Sequence, residues 1–425
     1  MALSLSLVFA VGCGRRERVA SHQAPPTTES AVRLPALRGS STPSGSASPP
    51  ASAAVHSSAP LRVAGGCRLA RGPIGLPRRV PSSLVARGDV VLAVLDDDGH
   101  PRALRFVAGA LAEPFRTPPS ETVTDSCCAG PAVPCAVVAN RAFCPDRSGL
   151  VHRASLSIDE GGASRIPSNS PDDRVVASAR SGSRVSAAEL GEGHVALGYV
   201  ASRKTTEGWV SEAWLAVDDG PPQRISEDGS GATSVSLSAR GSGLLAVMVD
   251  ARSALTAVHA RTVAYEAGRV SLGEDAVIFV GSPSDRRTVA SVAALPGGPV
   301  WSLLPIAKDV ENFGLALMRL HEPPRIEEPV VWSLYPNGLD APPIAVAVAR
   351  GRLWVARVRP DAAAPSAPEV LELGEVSDEG EFLARDTRAV AGHVNHVALT
   401  SDGAGALWIH WVDSSGSSLL RLACG

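Results

Sequence analysis

One position recurs along this chain at nearly constant spacing. Gly88, Asn140, Gly193, Gly243, Gly298, Gly351 and Gly405 each precede a short run of mostly apolar residues, and successive members lie 50 to 55 residues apart. The segment SVSLSARGSGLLAVMVDARSALTAV from Ser234 and the segment HVALTSDGAGALWIHWVDSSGSSLL from His396 show the unit most clearly. Each reads as a strand, a Gly-rich turn, a second strand ending in Val-Asp, another turn and a third strand. Beyond Leu61 no helical period of useful length appears, whereas Val-, Leu- and Ala-rich runs broken by Asp-Gly, Gly-Ser and Pro turns are frequent. That is an all-β pattern.

The period decides among all-β architectures. A two-sheet sandwich has no reason to keep one, while a propeller blade of four antiparallel strands takes roughly 40 to 50 residues. The expectation is a seven-bladed β-propeller over residues 61–425. First strands such as SSLVA, SAAEL, SVAAL and IAVAVA are built of small residues, which suit a crowded innermost position. Trp301, Trp354 and Trp408 fall three residues past their anchors and are assigned to packing between blades. Over this span the chain resembles the seven-bladed propellers of the WD40-like and related bacterial kinds. The resemblance is architectural, because no repeated Gly-His or Trp-Asp pair occurs, and TSDGAGALW carries Ala404 where a sialidase Asp-box needs Gly.

The first residues, MALSLSLVFAVGCG, hold an apolar core too short to span a bilayer, followed by small residues and Cys13. They resemble the lipobox of bacterial lipoproteins, with Ala10, Val11, Gly12 and Cys13 in its four positions and Ala10 where Leu is usual. The resemblance implies removal of residues 1–12, acylation of Cys13 and an exported, lipid-anchored protein in the bacterial cell envelope, at the outer membrane. Residues 14–60, rich in Ser, Pro, Ala and Thr, have nothing periodic to bury and read as a disordered tether. As a flexible coil it reaches on the order of 40 Å.

Charge and motifs exclude more than they assign. The net charge is -3 and no basic run tracks phosphates, so nucleic-acid binding has no electrostatic footprint. No phosphate loop and no G-x-S-x-G elbow occurs, so no catalytic residue, cofactor or metal is assigned. His393 and His396 are three apart, which on a strand points them to opposite faces and suits no shared metal. His152 and His259 sit in similar third-strand contexts and read as repeat inheritance. Acidic residues recur in the turns between second and third strands: Asp96 to Asp98, Asp146, Asp250, Asp309, Asp361 and Asp413. Most such acids serve hairpin turns. Together they also place a broken acidic ring, with Asp96, Asp98, Asp146, Asp250 and Asp413 as candidate contacts, toward a cationic partner. Trp209, in the long SRKTTEGWVSEAW turn, is either an exposed anchor or a packed residue. Two function classes follow: a monomeric binding or scaffold module for a protein or glycan, and a propeller hydrolase or lyase with its site at the central axis. A cluster of His, Arg and carboxylates on the axis favours the enzyme.

Seven cysteines complete the reading. With Cys13 used for lipid, six remain, an even number in an exported chain. Cys127, Cys128, Cys135 and Cys144 cluster at the second repeat and are expected to form two local bridges. Cys67 and Cys424 are then partners. The last repeat stops one strand short, and the segment LRVAGGCRLA supplies the missing outer strand, which sets Cys67 beside Cys424. Closing so long a loop stabilises by about 5 kcal/mol.

Overall fold

The computed structural model describes residues 67–76, 82–88, 90–97, 100–107, 110–111, 133–138, 140–156, 174–251, 256–283, 291–295, 299–307, 313–321, 329–335, 343–360 and 369–424. Cys13, the tether, Cys127, Cys128 and Asp98 lie outside them, and of Asp96 only the backbone is described.

The described residues form antiparallel strands and no α-helix. After β1 (Arg68–Leu76), strands β2 (Ser82–Arg87), β3 (Val90–Asp97), β4 (His100–Val107) and β5 (Ala110–Leu111) make one four-stranded sheet. A second is β6 (Ala136–Val138), β7 (Arg141–Pro145), β8 (Leu150–Ser155) and β9 (Arg174–Ser178). The third is β10 (Ser186–Glu189), β11 (Val195–Thr205), β12 (Gly208–Val217) and β13 (Gln223–Arg224). The next sheet takes β14 (Ala232–Arg240), β15 (Gly243–Asp250), β16 (Thr256–Glu266), β17 (Arg269–Leu272), β18 (Ala276–Pro283), β19 (Ser291–Ala294), β20 (Val300–Ala307), β21 (Phe313–Leu320) and β22 (Val330–Tyr335). The fifth is β23 (Ile344–Ala349), β24 (Arg352–Pro360), β25 (Glu369–Val376) and β26 (Phe382–Ala389). The sixth joins β27 (His396–Ser401), β28 (Leu407–Asp413) and β29 (Gly416–Ala423) to β1.

The nine-stranded sheet spans two sequence repeats. β18 lies along β16, as in Val258 opposite Phe279, and its last residues Ser282 and Pro283 reach Ala307 and Ile306 of β20. One strand thereby hydrogen-bonds two repeats into a single sheet.

Every recurrent anchor among the described residues lies at or just before its second strand; Gly298 falls outside them. Gly88, Gly193, Gly351 and Gly405 have φ of 53°, 80°, 72° and 75°, the left-handed region that glycine enters without steric cost. Gly243 differs. The left-handed turn there is made by Gly241 (φ 56°), and Gly243 answers a close approach instead, since a Cβ would sit 2.7 Å from the Val263 carbonyl oxygen.

The second strands are apolar on both faces because both faces are covered. β28 is buried at every residue, and β15 and β25 nearly so. Each core lies between consecutive repeats. Leu92 and Val94 meet Ala142 and Cys144; Phe143 and Val151 meet Leu197 and Tyr199; Val200 and Leu215 meet Val235 and Met248. Val247 and Val249 meet Leu304 and Ile306; Trp301 and Leu303 meet Leu353 and Val355; Trp354 and Ala356 meet Leu399 and Ile409. Finally Trp408 and Leu419 of the last repeat meet Val91 and Phe106 of the first. The three tryptophans are thus packing residues, as expected.

The N-terminal strand arrives where the sequence placed it. β1 pairs antiparallel with β29, from Arg68 opposite Ala423 to Leu76 opposite Ser417. Cys67 and Cys424 are disulfide-bonded across 357 residues and are buried. Of the local cysteines, Cys135 and Cys144 form the bridge the structure describes. Two disulfides are consistent with an oxidising, extracellular environment.

Candidate functional site

Within each repeat the strands follow in order and antiparallel. The start of the first strand and the turn between the second and third therefore lie at the same edge. That edge carries the candidate residues.

Its most prominent feature is the ribbon of β11 and β12, with Lys204 opposite Trp209 near the tip. Pairing alternation gives the ribbon two faces. On one face Glu212 is buried at the centre of a charge clamp: Arg203 donates to it from Nε at 3.1 Å and from a terminal nitrogen at 2.9 Å, Arg224 at 3.1 Å, and the Gly229 amide at 3.0 Å. Asp228 receives both arginines as well. Led by the Arg203 hydrogen bonds, these partners lower the Glu212 pKa to about 2. The clamp holds the ribbon to the loop that follows β13, and the other face offers Trp209, 73% exposed. Trp209 is thus exposed rather than packed.

Beside this ribbon, Ser226, Glu227, Ser230, Ala232, Met248, Asp250, His259 and Asp275 line a pocket. It has room for about one water molecule. His259 Nδ1 lies 3.2 Å from Asp275 Oδ1, and this hydrogen bond, ahead of the more distant Asp250 and Glu227 charges, raises the His259 pKa despite burial. Arg261 approaches the same carboxylate at 3.8 Å and donates to the Ile225 carbonyl at 2.9 Å. Three carboxylates and a histidine inclined to be charged face one small opening.

The rest of the expected acidic ring is placed differently. Asp413 is buried, and its carboxylate accepts from Ser415 N at 2.8 Å, Ser415 Oγ at 2.6 Å, Gly416 N at 3.2 Å, Ala391 N at 3.2 Å and Trp411 Nε1 at 3.2 Å. Asp146 accepts from Ser148 N and Leu150 N, each at 2.9 Å, and lies 3.1 Å from His152 Nε2. Both carboxylates organise their own turns. Of the expected ring acids whose side chains are described, Asp146, Asp250 and Asp413, Asp250 lines the pocket. Asp98, Asp309 and Asp361 fall outside the described residues.

The first strands of the last and first repeats, β27 and β2, lie against one another. His396, at the start of β27, has Nε2 2.8 Å from the Ser82 carbonyl and so donates to it. His410 Nδ1 lies 2.9 Å from Ser82 Oγ, and the two imidazole centroids are 5.5 Å apart. Both rings are buried. Burial, with smaller contributions from His410 and Arg184, holds His396 well below the usual histidine range, and burial lowers His410 to about 3. His393 instead faces solvent and bonds Glu369 at 2.9 Å, so the two histidines of HVNH do separate. Among the described residues no group of three His, Cys, Asp or Glu side chains is arranged to hold a metal.

Sequence reading missed Glu212, Asp275 and the contact of Ser82 with both histidines. The partners are 9 to 328 residues apart, and only Arg203 to Glu212, across a hairpin, left a readable signal.

No family model matches the chain, and no curated protein matches it. Among solved structures, a protein of unknown function from Dyadobacter fermentans is similar at 10% identity and a TM-score of 0.45, over 84% of this chain and 98% of that one. The Dos1 propeller is similar at 10% identity and a TM-score of 0.43, over 79% and 75%. The GH93 α-L-arabinofuranosidase of Fusarium graminearum, solved with arabinobiose, is similar at 12% identity and a TM-score of 0.37, over 84% and 95%.

Proposed function

We propose that this chain is an exported, lipid-anchored binding module: a seven-bladed β-propeller closed by its N-terminal outer strand, tethered through Cys13, that docks a protein or glycan carrying a cationic group. The recurrent anchors, the cores between consecutive repeats and the last core joining Trp408 to Phe106 support the ring. The observation that carries the binding reading is Trp209, exposed on a ribbon that the Glu212 clamp holds, at the same edge of the repeats as the opening lined by Glu227 and Asp250. An aromatic anchor that is already ordered loses little entropy on binding, and the carboxylates at that edge select positive charge.

A photo-crosslinking residue in place of Glu207, next to the ribbon tip, should capture a partner in intact cells, and Trp209→Ala should abolish capture. Capture that is unchanged in Trp209→Ala removes the ribbon as the docking element. Cys13→Ala should release the protein from membranes, and lipid labelling equal in wild type and variant rejects the anchor.

A second reading, a glycoside hydrolase, is favoured by the pocket itself, because such hydrolysis needs a pair of carboxyl groups. Release of reducing sugar from arabinan or another plant or bacterial polysaccharide that disappears in Asp250→Asn would establish it over the first.

A further inference from the structure

Trp209 and the small pocket share one side of the third repeat. Residues opposite one another on β11 and β12 point to the same face, so Val200 with Ala213, Ser202 with Ser211 and Lys204 with Trp209 form one set. Val200 and Ala213 pack on Ala232, Val235 and Met248 of the fourth repeat. The Trp209 face therefore looks toward the fourth repeat, from which Ala232, Met248, Asp250 and His259 line the pocket. The opposite wall is fastened to β12: Ser226 Oγ accepts from the Ala213 amide at 3.1 Å, and Ser230 Oγ lies 3.5 Å from the Ser211 carbonyl oxygen. Ser211 is two residues from Trp209, about 7 Å along the strand. One ligand can reach both.

Size and charge define what enters. The pocket admits a group about as large as a water molecule. A primary ammonium has that size, carries three donors and follows a slender methylene stem, whereas a planar guanidinium is broader. Met248 and Ala232 offer apolar surface to the stem, and Glu227, Asp250 and Asp275 offer acceptors to the head. Asp228, beside Glu227, is held by Arg203 and Arg224. Arg261 and, when protonated, His259 offset two of the three carboxylates, so the pocket keeps one or two negative charges. An amino sugar carries its ammonium directly on a ring too wide to follow it in.

We propose that the pocket takes the side chain of a lysine on a partner protein, its ε-ammonium among Glu227, Asp250 and Asp275, while Trp209 covers the partner residues that flank it. This deepens the docking reading above and rests on it. The ammonium and the His259 proton compete for the same carboxylates. Affinity therefore rises as pH rises past the His259 pKa, and bound lysine lowers that pKa by linkage.

Full-length protein with labelled histidine is titrated by NMR with blocked pentapeptides Gly-Gly-X-Gly-Gly, in which X is lysine, acetyl-lysine or arginine, and with a glucosamine oligomer. The lysine peptide should bind saturably, more tightly at about pH 8 than at about pH 6, and move the His259 signal. Acetyl-lysine should not bind, and arginine and glucosamine should bind about tenfold more weakly. Asp250→Asn, and Glu227→Gln at an exposed position, should each weaken lysine binding about tenfold, and Trp209→Ala should weaken it as well. His259→Gln should keep binding and lose its pH dependence. Equal binding of the arginine or acetyl-lysine peptide, or tighter binding of the glucosamine oligomer, overturns the lysine assignment. Full affinity in Trp209→Ala separates the indole from the pocket and overturns the joint site. If no peptide binds while crosslinking from Glu207 still depends on Trp209, the lysine site falls and the docking reading stands; if that crosslinking fails too, both fall.

Discussion

Two regions of this molecule solve opposite problems with similar residues. At the seam between the last and first repeats, Trp408 and His410 are fully buried, Cys67 is bridged to Cys424, and Asp402 receives Trp408 Nε1 at 3.1 Å and Arg421 at 2.8 Å. At the third repeat's edge a tryptophan is nearly bare, and the ionic clamp beneath it is half open to water, Arg203 being 46% exposed. The seam excludes solvent and resists opening. The edge spends its charges on holding a ribbon still while leaving one aromatic face free. Burial of a residue type therefore says what a region does better than the type itself.

The largest effect separating the two should come from the disulfide. The double variant Cys67→Ser and Cys424→Ser should lose about 5 kcal/mol, following the chain-entropy estimate for a long loop, and melt several degrees earlier by calorimetry. Equal melting of the two proteins would make the seam no firmer than the edge.

Acid should open the seam next. His396 and His410 have folded pKa values below the unfolded one, so the folded state binds fewer protons in this range. Their contribution is complete above the unfolded pKa near 6.5 and is lost as pH falls through it toward the folded values. Each group lowers stability by about 1.4 kcal/mol per pH unit in that window. Urea unfolding at falling pH checks the slope, and His410→Gln should flatten it. His259 works in the reverse sense: its raised pKa makes its contribution complete below about 6.5, lost as pH rises through the folded value.

Glu212→Gln should cost less, about 1 to 3 kcal/mol, because its arginine partners are partly hydrated and keep Asp228. Hydrogen exchange should rise in the ribbon and stay unchanged at the seam. Trp209→Ala should alter stability by less than about 0.5 kcal/mol while removing partner capture. A marked fall in melting temperature for this variant would mean that Trp209 packs, and the contrast between the regions would vanish.

The repeat, the strand order and the closing bridge were legible because they depend on local pattern and parity. Valine and leucine runs between glycine turns specify strands, a period near 53 residues specifies a repeated sheet, and a missing last strand beside an odd pair of cysteines specifies what fills it. The acidic turns were legible as acids but not in their direction. Whether a carboxylate lines a pocket, as Asp250 does, or folds back onto its own amides, as in Asp413, differs although two Val-Asp endings share the same sequence. Tertiary structure alone decided that β18 would join two repeats and that Ser82 would meet two histidines more than 300 residues away. Strand formation is a matter of neighbours along the chain. Those contacts are fixed by how whole sheets pack, and no local signal records which distant side chain that packing will deliver.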